Sequence, residues 1–466
     1  MTCRKRKKKC DLRKPKCLNC EEKGLVCGGY GREAVFINQY STVSEPSVTR
    51  PKTPPNPFTV DPGAIVLPES LARSAYGEKS IGMFWDLYLP NDAISGHEAS
   101  SLPTGKWSTI VTDLYVQDDA LRVALLALSS AAVGRQHSDS WMVNQGRKLY
   151  GQGLAEMGKT LRDPRSASNE ALLAAPQIMG LFEILFGTDT GLGVQARSWR
   201  SHAEGQLAMM TAIGPSAWKI GVAHELFLDS RMSAIIAGVR MRKATLLDKE
   251  EWRTVPWQLV PKTPMDSLLD IFAGVPAIMQ CVESLRSAGV DGTRRETLAY
   301  CWTLESQIAI WLDDHRGRIY APETDAPVPI DFPNLPTAHL TVIYWTTRML
   351  LQLALLLLLS SPPGSPPRAS PFLPSASPLS SSFNKDPRVY ARRIARSVPY
   401  FFNSSSGIFG ATMIAFPIGV TFMCYDQTGG GDDEYRKFIF VTFKRPGLPS
   451  SIQLFLKSMC EPGAQS

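Results

Sequence analysis

Five of the nine cysteines of this chain fall within its first 27 residues, at Cys3, Cys10, Cys17, Cys20 and Cys27. An unbroken basic run, Arg4, Lys5, Arg6, Lys7, Lys8 and Lys9, fills the space between the first two. Thiolates are ligands for Zn²⁺, which accepts a tetrahedron of them with no d-electron preference of its own. Cys17 and Cys20, with two residues between them, can hold one ion from a single tight turn. Cysteines separated by six residues can close a short helix and loop onto the same metal. A segment of about 30 residues has too little apolar surface to fold unaided, so bound metal has to supply the folding free energy. Lys and Arg suit guanine O6 and N7, and they draw phosphate with a salt-dependent affinity. The chemistry these residues can do together is metal-held recognition of a nucleic acid.

The charge distribution agrees. The chain has 466 residues, 50 Lys and Arg, 43 Asp and Glu, and a formal charge of +7. Residues 1–30 carry ten of the bases and three of the acids, which is the whole excess, so the remainder is neutral. A polyanionic partner is therefore expected for the first segment alone. The other cysteines, Cys281, Cys301, Cys424 and Cys460, are far apart and show no pairing pattern. The N-terminus has no apolar leader pattern, so the expected setting is intracellular and reducing, where clustered cysteines bind metal more often than they form disulfides. The most apolar run, Met349 to Leu359, is shorter than the roughly 20 residues a bilayer demands and reads as a buried helix, so no membrane is expected among the partners.

Three regions must carry these features. Residues 1–30 form the cysteine module. Residues 31–75 read as a disordered linker, because Pro46, Pro51, Pro54, Pro55 and Pro57 stand among Ser, Thr and Val. No heptad is sustained there, so no coiled-coil dimeriser is seen, although a homodimer stays open. Residues 76–466 read as a mostly all-α domain. Leu121, Leu125, Leu128 and Ala132 recur at helical spacing behind Asp118 and Asp119. So do Tyr150, Leu154, Met157 and Leu161, stopped by Asp163-Pro164; Ile178, Leu181, Phe182 and Leu185, ending at Gly187; and Trp199, Ala203, Leu207 and Met210, closed by Gly214-Pro215. Further helices are expected over about 217–238, 266–288, 294–313, 338–359 and 387–402. A Pro/Ser tract at about 360–384 reads as a disordered loop.

The cysteine module resembles the fungal binuclear zinc cluster, Zn₂Cys₆, whose common pattern is C-x2-C-x6-C-x6-C-x2-C-x6-C. The chain matches from the second cysteine onward, with RKRKKK before the third, DLRKPK before the fourth and Tyr30 shortly after the last. The resemblance implies a small DNA-binding module of two short helices followed by an all-α regulatory domain. It implies that six thiolates hold two zinc ions and that Cys17 bridges both, with Cys3, Cys10, Cys20 and Cys27 as terminal ligands. It implies that the basic segment is a helix entering the major groove of double-stranded DNA to read a CGG-type triplet. By position Arg6 and Lys7 are the base-reading candidates, and Arg4, Lys5, Lys8 and Lys9 contact phosphate. Pro15 sits in the loop between the two halves. FWDLYLPN at Phe84 to Asn91, WRSHAEGQLAMMTAIGP at Trp199 to Pro215 and ARRIARSVPYF at Ala391 to Phe401 resemble the helical regulatory domain of one group of such factors. That implies a zinc-dependent regulator of RNA polymerase II transcription in the nucleus, with coregulators or a small effector as further partners.

One departure stands out. The first cysteine of the family pattern would lie one position before Met1. Two tetrahedral ions need eight bonds, whereas five cysteines with one bridge supply six, and residues 1–30 hold no His. The expectation is a further cysteine upstream of Met1; the alternative is a coregulator that acts through its helical domain without binding DNA. No enzyme is expected. Asp118-Asp119, Asp313-Asp314 and Asp432-Asp433 lack the further acid of a DDxxD motif and read as solvated helix ends or loops. His97, His137, His202, His224, His315 and His339 are scattered, with no HExxH, and His202 reads as packed or hydrogen-bonded. Gly429, Gly430 and Gly431 read as a turn rather than a phosphate loop. Cys17-x2-Cys20 as a redox pair would need a βαβ setting that the flanking sequence lacks.

Overall fold

The computed structural model describes residues 10–25 except 12, 14 and 15, then 69–90, 103–162, 170–187, 192–288, 291–359, 386–444 and 453. Regular structure among the described residues is helical, with no strand, as the apolar periodicity requires. Backbone contacts divide the chain into two compact units, Met1–Val66 and Leu67–Ser466.

In the first unit the described helix is a single turn, α1 (Leu18–Glu21).

The second unit begins with α2 (Glu69–Tyr88), α3 (Pro103–Leu114), α4 (Asp119–Gln136) and α5 (Ser140–Thr160). Then come α6 (Glu170–Phe186), α7 (Leu192–Ile213), α8 (Gly221–Met241) and the short α9 (Glu250–Thr254). Helix α2 starts inside the stretch expected as linker, and the expected Pro/Ser loop lies outside the described residues. In α4 the predicted stripe holds: Leu121, Leu125, Leu128 and Ala132 are all buried. Asp118 caps it by accepting the Leu121 N–H at 3.0 Å. The stripe predicted for α5 does not hold, since Leu154 and Leu161 are exposed. The face that α5 turns inward carries Gly146 and Gly153 instead. A Cβ at Gly146 would stand 2.7 Å from the Ala127 carbonyl oxygen and from the Ala131 Cβ. Small residues on both sides bring these two backbones together, and a search for large apolar residues passes over them.

The second half runs through α10 (Pro264–Phe272), α11 (Val275–Ala288), α12 (Asp291–His315), α13 (Leu335–Leu359), α14 (Arg388–Phe401), α15 (Gly407–Gln427) and α16 (Asp433–Phe443). The single helix expected over 266–288 is two, broken at Ala273-Gly274. Pro276 offers no N–H to the Phe272 carbonyl, so the ladder cannot continue. Thr263 opens α10 with a reciprocal capping box to Asp266.

Helix α13 is the centre of this half. Leu350, Leu351, Leu353 and Leu355 are at most 1% exposed, each contributing about 1.5–3 kcal/mol by burial. The helix has 25 residues, more than the apolar run alone suggests, and with Ser404–Gln427 and Pro264–Leu285 it is long and apolar enough to cross a membrane. Its apolar surface instead faces α11, α12, α14 and α15. Its buried polar residues include Arg348, which pairs with Glu305 of α12 at 2.9 Å and donates to the Tyr390 hydroxyl of α14 at 3.3 Å. Helix α2 ties the two halves together, packing on α4 and on α15, where Tyr88 meets Phe409 at 5.8 Å.

Candidate metal centre and nucleic-acid interface

Among the described residues of the first unit, the buried apolar residues are cysteines. Its buried cluster is Cys17 and Cys20, both 0% exposed, with Cys10 packed against them. Exposed Leu18 and Leu25 flank it. Cys17 is the N-cap of α1 in extended conformation, and its carbonyl accepts from Cys20 N at 3.0 Å and Glu21 N at 3.1 Å. The one-turn helix therefore sets the two cysteines side by side, as the two-residue spacing predicts. The chain then returns: Gly24 N donates to the Glu21 carbonyl and Leu25 N to the Cys20 carbonyl.

A second kind of side chain lies beside them. The Cys10 and Cys17 sulfurs and a carboxylate oxygen of Asp11 all lie within 4.8 Å of one another. Asp11 is exposed, and its Oδ2 accepts the Leu18 N–H at 3.1 Å, which also satisfies an orphan donor at the start of α1. Asp11 was missed by a search for Cys and His. Its signal in the sequence is adjacency to Cys10. Cysteine sulfurs buried side by side, with no other buried apolar residue among the described residues of this unit, fit a structural zinc site.

Among the other expected site residues, Cys3, Cys27, Pro15 and the basic run Arg4, Lys5, Arg6, Lys7, Lys8 and Lys9 lie outside the described residues. Arg13, Lys16 and Lys23 are exposed around the cysteine turn.

In the second unit members of the acid pairs sit in ion pairs. Asp119 pairs with Arg122 at 2.5 Å and Asp313 with Arg316 at 2.6 Å, both at the surface. Asp432 departs from the expected solvated end. Its side chain is 1% exposed and pairs with Arg392 of α14 at 2.5 Å, because α16 packs its N-terminus onto α14. Gly429, Gly430 and Gly431 have φ of +85°, +78° and +94°, a left-handed turn between α15 and α16 that side chains would resist. His202 is packed as expected. Its Nε2 lies 2.7 Å from the Tyr150 hydroxyl, which donates to Glu183 at 2.6 Å. Burial holds His202 down to about 4 and pushes the Glu183 carboxyl up. His224 is buried with Nδ1 2.8 Å from the Trp218 carbonyl oxygen, so that nitrogen carries the proton. His97 lies outside the described residues.

Arg231 of α8 is also deeply buried, with a side chain 2% exposed. It donates to Asp266 Oδ1 at 3.3 Å, to the Asp266 carbonyl at 3.2 Å and to Asp270, which Lys262 also pairs. Its guanidinium lies 4.9 Å from the Trp257 ring centroid. Every charge in the group is answered, so it fixes α8 against α10 rather than presenting a reactive centre.

Comparison with known proteins places both regions. Residues 1–34 match the fungal Zn(2)-Cys(6) binuclear cluster domain, and residues 94–371, more than half of the chain, match the fungal specific transcription factor domain. A curated relative, an uncharacterized protein of Emericella nidulans, is 26% identical over 148 residues, covering 31% of this chain. The chain spans only 30% of that relative's length. No solved structure matches the chain.

Proposed function

The chain belongs to the fungal specific transcription factor domain family, and from that premise we propose a zinc-dependent regulator of RNA polymerase II transcription that reads CGG-type triplets. Its domains divide at about residues 30 and 75: the cysteine module, a Pro-rich linker and a helical regulatory domain with a Pro/Ser loop at about 360–384. Cys3, Cys10, Cys17, Cys20 and Cys27 hold the zinc. When bound, zinc supplies the structure that so small a segment lacks, and takes no part in a reaction. Arg6 and Lys7 contact guanine edges in the major groove, while Arg4, Lys5, Lys8 and Lys9 contact phosphate. The helical domain binds coregulators or a small effector, and its work is regulation rather than catalysis. The nucleus is the place where such a protein acts.

The observation that carries this reading is the pair of wholly buried cysteines, Cys17 and Cys20, set on one turn with Cys10 against them, with no other buried apolar residue among the described residues of that unit. Such a core holds together only with a metal in it.

The test is a gel shift of the full chain, with zinc measured on the same preparation. The expected result is bound zinc and CGG-dependent retardation. Arg6→Ala or Lys7→Ala should relax triplet preference by about 1–3 kcal/mol, and Lys8→Ala should weaken binding on all sequences alike. No zinc and no sequence preference would replace this reading by that of a coregulator acting through the helical domain.

A further inference from the structure

We infer that the aromatic cluster at the start of α8 binds a small uncharged molecule with a hydroxyl beside a carbonyl, the hydroxyl donating to His224 and the two oxygens accepting from Trp218 and Trp257. This rests on the reading of the helical domain as one that takes a small effector, and adds to it a place and a chemistry.

Two single turns, Pro215–Trp218 and Val255–Trp257, pack against each other, and the first also packs against α8. Phe227 of α8 is the hub. The rings of Trp218 and Trp257 are centred 6.0 Å from it, that of Trp252 6.1 Å and that of His224 6.4 Å. His224 also meets Trp257 edge-on at 5.2 Å. Trp218 and His224 are each 2% exposed, while Trp257 is half-buried.

Three ring nitrogens in this cluster are buried with no hydrogen-bond partner among the described residues: Trp218 Nε1, Trp257 Nε1 and His224 Nε2. An indole N–H can only donate. His224 Nδ1 carries the proton that the Trp218 carbonyl accepts, so Nε2 holds the lone pair of the neutral ring. Buried polar groups are nearly always partnered, and three left over on neighbouring rings call for one donor and two acceptors. A hydroxyl beside a carbonyl has that count.

The surroundings narrow the class further. Arg231 and Lys262 lie 4.9 Å and 5.4 Å from the Trp257 ring centroid, but Asp266 and Asp270 answer both charges. No charge is left over for an ion, so the molecule is uncharged. Ile220 and Leu259, each two residues past a tryptophan of the cluster, are 66% and 64% exposed, so both indole-bearing segments run straight out to solvent.

The experiment is a titration of the full chain, labelled with ¹⁵N at the indole nitrogens, with hydroxyacetone at pH 7.5 and with acetone as the control that lacks the hydroxyl. The chain has ten tryptophans. Trp257→Phe and Trp218→Phe assign the two signals that matter, and the wild-type titration itself needs no variant. Five non-hydrogen atoms at ordinary ligand efficiency give a Kd of about 0.1 M or tighter. The expected result is saturable movement of the Trp218 and Trp257 signals, with the other eight still, and acetone weaker by about fivefold, the size of one hydrogen bond. His224→Asn keeps a donor near the Nδ1 position and removes the Nε2 acceptor, so it should bring hydroxyacetone down to the affinity of acetone. Two signals that stay still, or that move no more than the other eight, overturn the site and leave water as the partner of these nitrogens. Equal affinity for the two probes overturns the ligand chemistry. Hydroxyacetone that binds without changing the gel shift keeps the site and refutes the effector reading, whereas a failed site leaves the zinc and DNA reading standing.

Discussion

Helix α5 offers the same substitution in opposite surroundings. Its glycines are 146, 151, 153 and 158. Mid-helix glycine costs about 0.8–1.0 kcal/mol relative to alanine, so Gly→Ala is stabilising wherever a methyl has room. At Gly151 and Gly158 nothing lies within 4 Å of the added Cβ. Each alanine should therefore stabilise by about 0.5–1 kcal/mol. At Gly153 the nearest atoms, Ala124 N and Met179 Cε, are 3.4 Å away, which is close but tolerable contact, and a small effect is expected. At Gly146 the methyl would meet Ala127 O and Ala131 Cβ at 2.7 Å and Ala131 N at 2.9 Å. Two of the three are backbone atoms of α4 and cannot rotate away. Overpacking of this kind costs about 1–3 kcal/mol, so after the propensity gain Gly146→Ala should destabilise by up to about 2 kcal/mol. The assay is thermal unfolding of the full chain followed by circular dichroism. For a unit of about 400 residues each kcal/mol moves the midpoint by only about 1 °C. Gly151→Ala/Gly158→Ala together should raise it by about 1–2 °C, and Gly146→Ala should lower it by a similar amount. If Gly146→Ala raises the midpoint as the other two do, the close approach of α4 and α5 is refuted.

The remaining predictions concern charge and metal. Arg231→Met leaves Asp266 and Asp270 with Lys262 as the remaining cation in a buried group, and removing one partner of such a pair costs about 3–5 kcal/mol. The Thr263 N–H still serves Asp266 at 2.9 Å, so a loss of about 2–4 kcal/mol is expected in urea unfolding, and under 1 kcal/mol would mean the charges are not buried as described. Burial holds His202 and His339 down to about 4, below the unfolded value near 6.5. A base with a lowered folded pKa contributes stability above pH 6.5 that is lost as pH falls toward 4. Glu305 and Asp229, both raised to about 6 by burial, work in the opposite direction, losing their contribution as pH rises through 6. The stability difference between wild type and His202→Gln isolates one group, and should shrink by about 1–2 kcal/mol from pH 7 to pH 5 because His202 is only partly buried; an unchanged difference would contradict the packing around Tyr150. Cys20→Ala should remove zinc and DNA binding while the far-ultraviolet circular dichroism barely changes, since α1 is one turn of four residues; a large loss of helix signal would count against that local role.

The residue types settled more here than their arrangement did. Cys17 and Cys20 two residues apart, the basic run beside them and the charge excess confined to 30 residues identify a metal-held reader without any coordinates, because ligand spacing and charge are local properties. Helices α4, α6 and α7 were legible for the same reason, since an amphipathic stripe is written in one turn's neighbours. Folding alone decided what depends on partners distant in sequence. The inward face of α5 is made of glycines that matter only because α4 lies against them. The break before Pro276 divides a continuous apolar pattern. Asp432 is buried because Arg392, 40 residues earlier, meets it there. The Asp11 carboxylate comes within 4.8 Å of the Cys10 and Cys17 sulfurs only when a turn carries Cys17 back beside it, a closeness that the spacing of the cysteines by itself does not reveal.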